Sequence, residues 1–126
     1  MNRLENLAAL RQHWYAAYFA ADLVFLKATE LPDFTYLSDQ GIETTDRRYS
    51  HIADRVASGT WFASAAHRQE LSVSYHDQGE CCYVTGTARI VAAPGVEHKR
   101  CFSELWLSNK QNWQILSLHA SVLTSG

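Results

Sequence analysis

Residues 80–93 run without a break apart from one internal glycine, Gly86. Cys82, Val84, Ala88 and Ile90 share one parity, and Tyr83, Thr85, Thr87 and Arg89 share the other, which is the period of a strand. A strand this long reaches about 40 Å at 3.3 Å per residue, more than a small domain ordinarily accommodates. A flat version would overrun the core, so the stretch predicts bending, with Gly86 where a kink or bulge is cheapest. A bent sheet has a concave face, and other elements must cover it.

The neighbouring segments supply its partners. Residues 69–76 alternate, with Leu71, Val73 and Tyr75 on one side and Ser72, Ser74 and His76 on the other. Asp77-Gln78-Gly79 carries turn chemistry, with Gly79 free to take positive φ. Pro94-Gly95 ends the long strand, residues 97–108 form the next, and Asn109-Lys110-Gln111-Asn112 is a polar hairpin before a last strand over 113–124. Parity is ambiguous in that last strand. Trp113, Ile115 and His119 fall on one face and Leu116, Leu118 and Val122 on the other, so both faces look apolar. A sheet buried on both sides needs a second cover.

The first half reads as helices. Leu4, Leu7, Ala8, Arg11, Trp14, Tyr15 and Tyr18 recur at helical spacing over residues 2 to about 21, with Arg11 the one polar interruption. Asp22 starts a second short helix through Leu23, Phe25, Leu26 and Lys27, which Leu31-Pro32-Asp33 ends. Residues 34–37 are a short strand closed by the turn Asp39-Gln40-Gly41. A third helix begins near Thr44 or Thr45, has Asp46 in its first turn, buries Tyr49, Ile52, Ala53 and Val56, and is capped by Gly59. Trp61-Phe62 is an aromatic pair just before the long sheet. The fold class is α+β, with three N-terminal helices on the concave face of a strongly curved, mostly antiparallel sheet.

At 126 residues and 47% hydrophobic content, the chain is read as one domain, 1–126. Net charge is −2, and the short pairs Arg47-Arg48 and Lys99-Arg100 are read as solvated surface rather than a nucleic-acid footprint. No apolar run approaches the length of a membrane span, and residues 1–25 carry Arg3, Glu5, Arg11 and Asp22, unlike a secretory leader. Three cysteines, with Cys81 and Cys82 adjacent, make no disulfide framework and point to a reducing, cytoplasmic setting. The six histidines lack paired ligand spacing, and there is no C-x-x-C, G-x-G-x-x-G, P-loop or G-x-S-x-G. Neither metal nor cofactor is expected. Glu104, beside Trp106, is expected to pair Arg89 or Arg100 across strands.

The element order resembles the NTF2-like superfamily, and within it the DUF4440/SnoaL-like branch. The resemblance is carried by Asp22-Leu23, by residues 33–41, by residues 79–86, by Glu104-Leu105-Trp106, and by Trp113-Gln114-Ile115 leading to His119 and Ser121. It implies a cone-shaped α+β fold and a homodimer formed through the convex side of the sheet. Tyr83, Thr85, Trp106 and Trp113 are the residues expected there. Ketosteroid isomerases of the same superfamily use an aspartate base, a tyrosine and a protonated aspartic acid. Their positions fall here on Ser38, Trp14 and Ser103, with Asp39 one residue from the base. A hydroxyl is too weak to abstract a carbon-bound proton, so that activity is not expected.

Three readings follow. In the first, a homodimeric domain binds a small apolar or partly polar ligand. Trp14, Tyr18, Tyr36, Trp61 and Phe62 would wall the cavity, with Ser38, Ser103 and His119 as polar handles. In the second, a lyase, isomerase or hydrolase uses His119 or Asp39 as general base, grouped with Tyr36. In the third, side chains fill the cavity and only the dimer matters.

Overall fold

The computed structural model describes residues 2–109 and 112–123. Its elements are α1 (Arg3–Phe19), α2 (Leu23–Thr29), β1 (Glu30–Ser38), β2 (Gly41–Thr44), α3 (Thr45–Ala57), β3 (His67–Asp77), β4 (Cys81–Ala93), β5 (Val96–Asn109) and β6 (Asn112–Val122). Each helix starts for a local reason. Asn2 caps α1 in a reciprocal box with Glu5. The Asp22 carboxylate accepts from the Phe25 N–H at the start of α2 (3.2 Å). Asp46 lies in the first turn of α3, although Thr44 makes no side-chain cap.

The strands lie in the order β2-β1-β6-β5-β4-β3. The β1–β6 pair is parallel, and the other pairs are antiparallel. β1 begins at Glu30, four residues before the expected strand, because Pro32 falls within the Glu30–Thr35 break in the β1–β6 register. No ladder bond is demanded of proline there. β2 was not expected. It is a four-residue edge strand with little burial, which leaves no apolar alternation to read. Lys110 and Gln111 of the expected hairpin, and Thr124 at the expected end of the last strand, lie outside the described residues.

The sheet curves into a cone, with register breaks in the β3–β4, β4–β5 and β5–β6 pairings. Gly86 is required beside one of them. A Cβ there would stand 2.1 Å from the Ser72 carbonyl oxygen and 2.8 Å from the Phe102 ring. The helices cover the concave face, and the core beneath them joins Leu7, Trp14, Leu26 and Ile52 to Phe34, Val84, Trp106 and Ile115.

Two bulges rearrange faces that simple alternation misassigns. In β6, Leu105 pairs with Ser117 while Trp106 pairs with Ile115, leaving Leu116 as the extra residue. Trp113, Ile115, Leu118 and Ala120 therefore all face inward, and His119 turns outward opposite Ser103. The apparent double apolarity of this strand is a change of parity at Leu116. In β3 the break between Glu70 and Ser72 brings Glu70 opposite inward-facing Ala88, and Arg68 opposite Ile90. Two charged residues thereby enter the concave side.

Candidate functional site

Under α1, the inward charges meet. The Arg11 guanidinium donates to both carboxylate oxygens of Glu104 (2.6 and 2.9 Å), to both of Glu70 (3.1 and 2.8 Å), and to the Tyr75 hydroxyl (2.9 Å). Glu104 also accepts from the Trp106 indole (2.7 Å) and, through a short contact, from the Tyr15 hydroxyl. Arg68 donates to Glu70 at 2.5 Å and lies 3.6 Å from the centre of the Tyr15 ring. Glu104 does not pair Arg89 or Arg100: it faces the core, Arg89 lies on the opposite face of the sheet, and Arg100 is four residues away along the same strand.

This arrangement sets the local acid–base behaviour. Burial would lower the Arg11 pKa, but hydrogen bonds to Glu104 and Glu70 outweigh it and hold the guanidinium charged. Burial would raise Glu70, yet bonds from Arg11 and Arg68 pull it below the ordinary carboxylate range. Burial, then the charge of Glu104, pushes the Tyr15 phenol well up.

A second buried pair braces α3. The Arg48 guanidinium holds Glu30 through its Nε (3.1 Å) and Nη2 (3.0 Å). The Trp14 indole and the Tyr49 hydroxyl each donate to the same carboxylate at 2.9 Å. With two carboxylates saturated by donors and Trp14 packed edge-on against Phe34 and Trp106, the centre of the cone is filled.

Open space lies to one side. A cleft of about 1290 Å³ runs between α1, the segment 58–66 and β3. Its wall is aromatic: Phe19 and Phe62 meet at 4.8 Å, and Trp61 and Phe62 at 5.1 Å. The Trp61 indole donates to the Phe19 carbonyl (3.0 Å) and ties the segment to α1. Its floor is polar, formed by Arg11, Arg68, Glu70 and Tyr75.

Only part of the expected site is here. Trp61 and Phe62 line this cleft, while Tyr18 lines an adjoining hollow of about 310 Å³. Burial pushes the Tyr18 phenol up to about 12. Trp14 is 1% exposed and belongs to the core. Tyr36 faces inward beside Arg48, 5.8 Å from its ring centre, but neither Tyr36, Ser38 nor Ser103 lines the cleft. Ser103 instead faces outward opposite His119.

The proposed base group does not assemble. His119 is exposed on the convex face, paired with Leu37, whereas Tyr36 is one residue along on the other face. Asp39 is exposed, and its carboxylate accepts from the Val122 N–H (3.0 Å). Of the residues expected on the convex side, Tyr83 and Thr85 do face outward. Trp106 and Trp113 do not. They are 0% and 7% exposed, because the even parity of β5 and the Leu116 bulge direct both rings inward.

Arg11 was visible in the sequence as the polar break in an apolar stripe. Arg68 and Glu70 were not, since alternation alone sends them outward.

No family model matches the chain, and no curated protein matches it. Solved structures do. An NTF2-like protein of unknown function in nutrient uptake, from Rhodospirillum rubrum, is 18% identical with a TM-score of 0.71, covering 94% of this chain and 98% of that one. A protein of unknown function with a cystatin-like fold, from Nostoc punctiforme, is 10% identical with a TM-score of 0.76, over 95% and 90%. A CaMKII hub from S. rosetta is 14% identical with a TM-score of 0.77, over 94% and 95%. The chain therefore has an NTF2-like, cystatin-like α+β fold.

Proposed function

We propose that this chain is a small-molecule-binding domain whose site is the cleft between α1 and β3. The observation that carries the reading is the cleft itself: an apolar aromatic wall facing a few convergent polar groups, the usual form of a ligand site. Catalysis is the weaker alternative. Glu70, the carboxylate on the cleft floor, is held by two arginines, which makes it a poor base. Placement in the DUF4440/SnoaL-like branch belongs to the same proposal, as does a single domain over 1–126. A cytoplasmic setting is supported by the three free cysteines, and no described helix is long and apolar enough to cross a membrane.

The test uses Nile red, a neutral apolar dye. Ala16 is exposed and lines the cleft, so Ala16→Trp should put an indole into it and narrow the space beside the aromatic wall without disturbing the core. Saturable enhancement of dye emission in the wild type, weakened in Ala16→Trp, is the expected result. Equal enhancement in both proteins contradicts the site.

A homodimer is the second reading. Leu71 and Tyr83 are exposed by 42% and 46%, and β3 is an edge strand. A hub domain among the structural neighbours supports self-association. Tyr83→Glu should then turn a dimer into a monomer in analytical ultracentrifugation; a wild-type monomer at high concentration contradicts it.

A further inference from the structure

Among the described residues, the Arg, Lys, Asp and Glu side chains that line the cleft are Arg11, Arg68 and Glu70. Each is already matched from within the fold. All five N–H donors of Arg11 are engaged: Nε by Glu104, Nη1 by Glu70 and Tyr75, and Nη2 by Glu70 and Glu104. Arg68 gives its Nη1 to Glu70. Its Nη2 is buried, and the guanidinium is packed against the Tyr15 and Phe102 rings. Glu70 is the more accessible, with 28% of its side chain exposed, but two guanidinium groups hold it. His67 also lines the cleft, is exposed to water, and has its Nδ1 3.0 Å from the Ala65 carbonyl.

The floor therefore carries charge without offering any. Its two arginines are balanced by Glu70 and Glu104 in one hydrogen-bonded group. An anion entering the cleft sheds water and meets cations that are already neutralised; a cation meets a carboxylate that two arginines hold. Neither recovers what its hydration was worth. An uncharged ring system loses little and buries its faces against Phe19, Trp61 and Phe62. Resting on the reading of the cleft as a ligand site, we infer that its ligand is an uncharged aromatic molecule, and that the balanced floor turns away ions of either sign.

Three probes of matched shape test this by calorimetric titration in mildly alkaline buffer, where histidine is ordinarily neutral: 2-acetonaphthone, 2-naphthoate and 2-naphthylmethylammonium. In the wild type the neutral ketone should bind at least about tenfold more tightly than either ion. Raising the salt concentration tenfold should change none of the affinities by more than about twofold, because no uncompensated charge is there to be screened. Glu70→Gln leaves Arg11 and Arg68 against Glu104 alone, so the affinity of naphthoate relative to the ketone should rise at least about tenfold. Either ion matching the ketone in the wild type, ion binding that weakens steeply with salt, or an unchanged ratio in Glu70→Gln overturns the inference while leaving the cleft as a site. The salt series needs no variant. If no probe binds, both the inference and the site fall.

Discussion

Replacing Glu104 by glutamine removes one charge and almost no volume from the centre of the network. The Oε1 of Glu104 takes Arg11 Nε and the Trp106 indole, and its Oε2 takes Arg11 Nη2 and the Tyr15 hydroxyl. An amide offers one acceptor oxygen and one NH2, so one of these pairs must face a donor. Tyr15 can turn its hydroxyl to accept, but Arg11 Nη2 cannot, and the group is left with two cations against one carboxylate. Arg11 is 3% exposed and the Glu104 side chain 0%, so water cannot repair the loss. Breaking a buried pair on one side costs about 3–5 kcal/mol, a large part of the roughly 5–15 kcal/mol that holds a domain together. In urea, followed by tryptophan fluorescence, the midpoint should fall by at least about 1 M for a slope of about 1–3 kcal/mol/M. Arg11→Met should lose a similar amount, and the double variant less than the sum. A Glu104→Gln midpoint within about 0.3 M of wild type is the behaviour of a solvated pair. It would refute the claim that the network is desolvated.

Gly86→Ala forces a Cβ to within 2.1 Å of the Ser72 oxygen, so the bend must relax at a cost of about 1–3 kcal/mol; thermal unfolding checks this, and an unchanged Tm contradicts it. Burial raises the phenols of Tyr15, Tyr18, Tyr36 and Tyr49, with Glu104 or Glu30 adding to the effect on Tyr15 and Tyr49. The unfolded chain then releases these protons first, so their stabilisation is intact below a pH of about 10 and is lost as pH climbs through the raised values. Ultraviolet titration of phenolate should show a late group of tyrosines, and ionisation of all of them at the ordinary phenol pH contradicts the burial. His119→Ala, on the exposed convex face, should change stability by no more than about 0.5 kcal/mol and leave Nile red binding intact; loss of binding would return His119 to the site.

The sheet was legible wherever alternation runs unbroken. Cys82, Val84 and Ala88 on β4 face the core as their parity predicts, and their odd-numbered neighbours face out. Legibility failed at single extra residues. The bulge at Leu116 turned His119 away from the concave side and Trp113 toward it, and the break after Glu70 drew two charges inward. One residue out of register reverses every face beyond it, and nothing in the local residue types marks the place. The polar network was hidden for a second reason. Arg11 and Glu104 are separated by 93 positions, and Arg11 and Glu70 by 59, so the sequence shows an arginine interrupting an apolar stripe but nothing that joins it to either glutamate. The aromatic pair Trp61-Phe62 was readable as a wall because its position between helix and sheet is local. Trp14 was placed in the wall from the apolar stripe of α1, but its indole is taken by Glu30.

The chain's four tryptophans give the most direct test of where a ligand sits. The indoles of Trp14, Trp106 and Trp113 donate to Glu30, Glu104 and the Arg3 carbonyl inside the fold, and Trp61 alone among them lines the cleft. In a nitrogen–proton correlation spectrum of the labelled protein, 2-acetonaphthone should move the Trp61 indole signal progressively and leave the other three in place. Movement of the Trp14 or Trp106 signal instead would put the ligand in the heart of the cone, and four unmoved signals would mean that the cleft holds nothing.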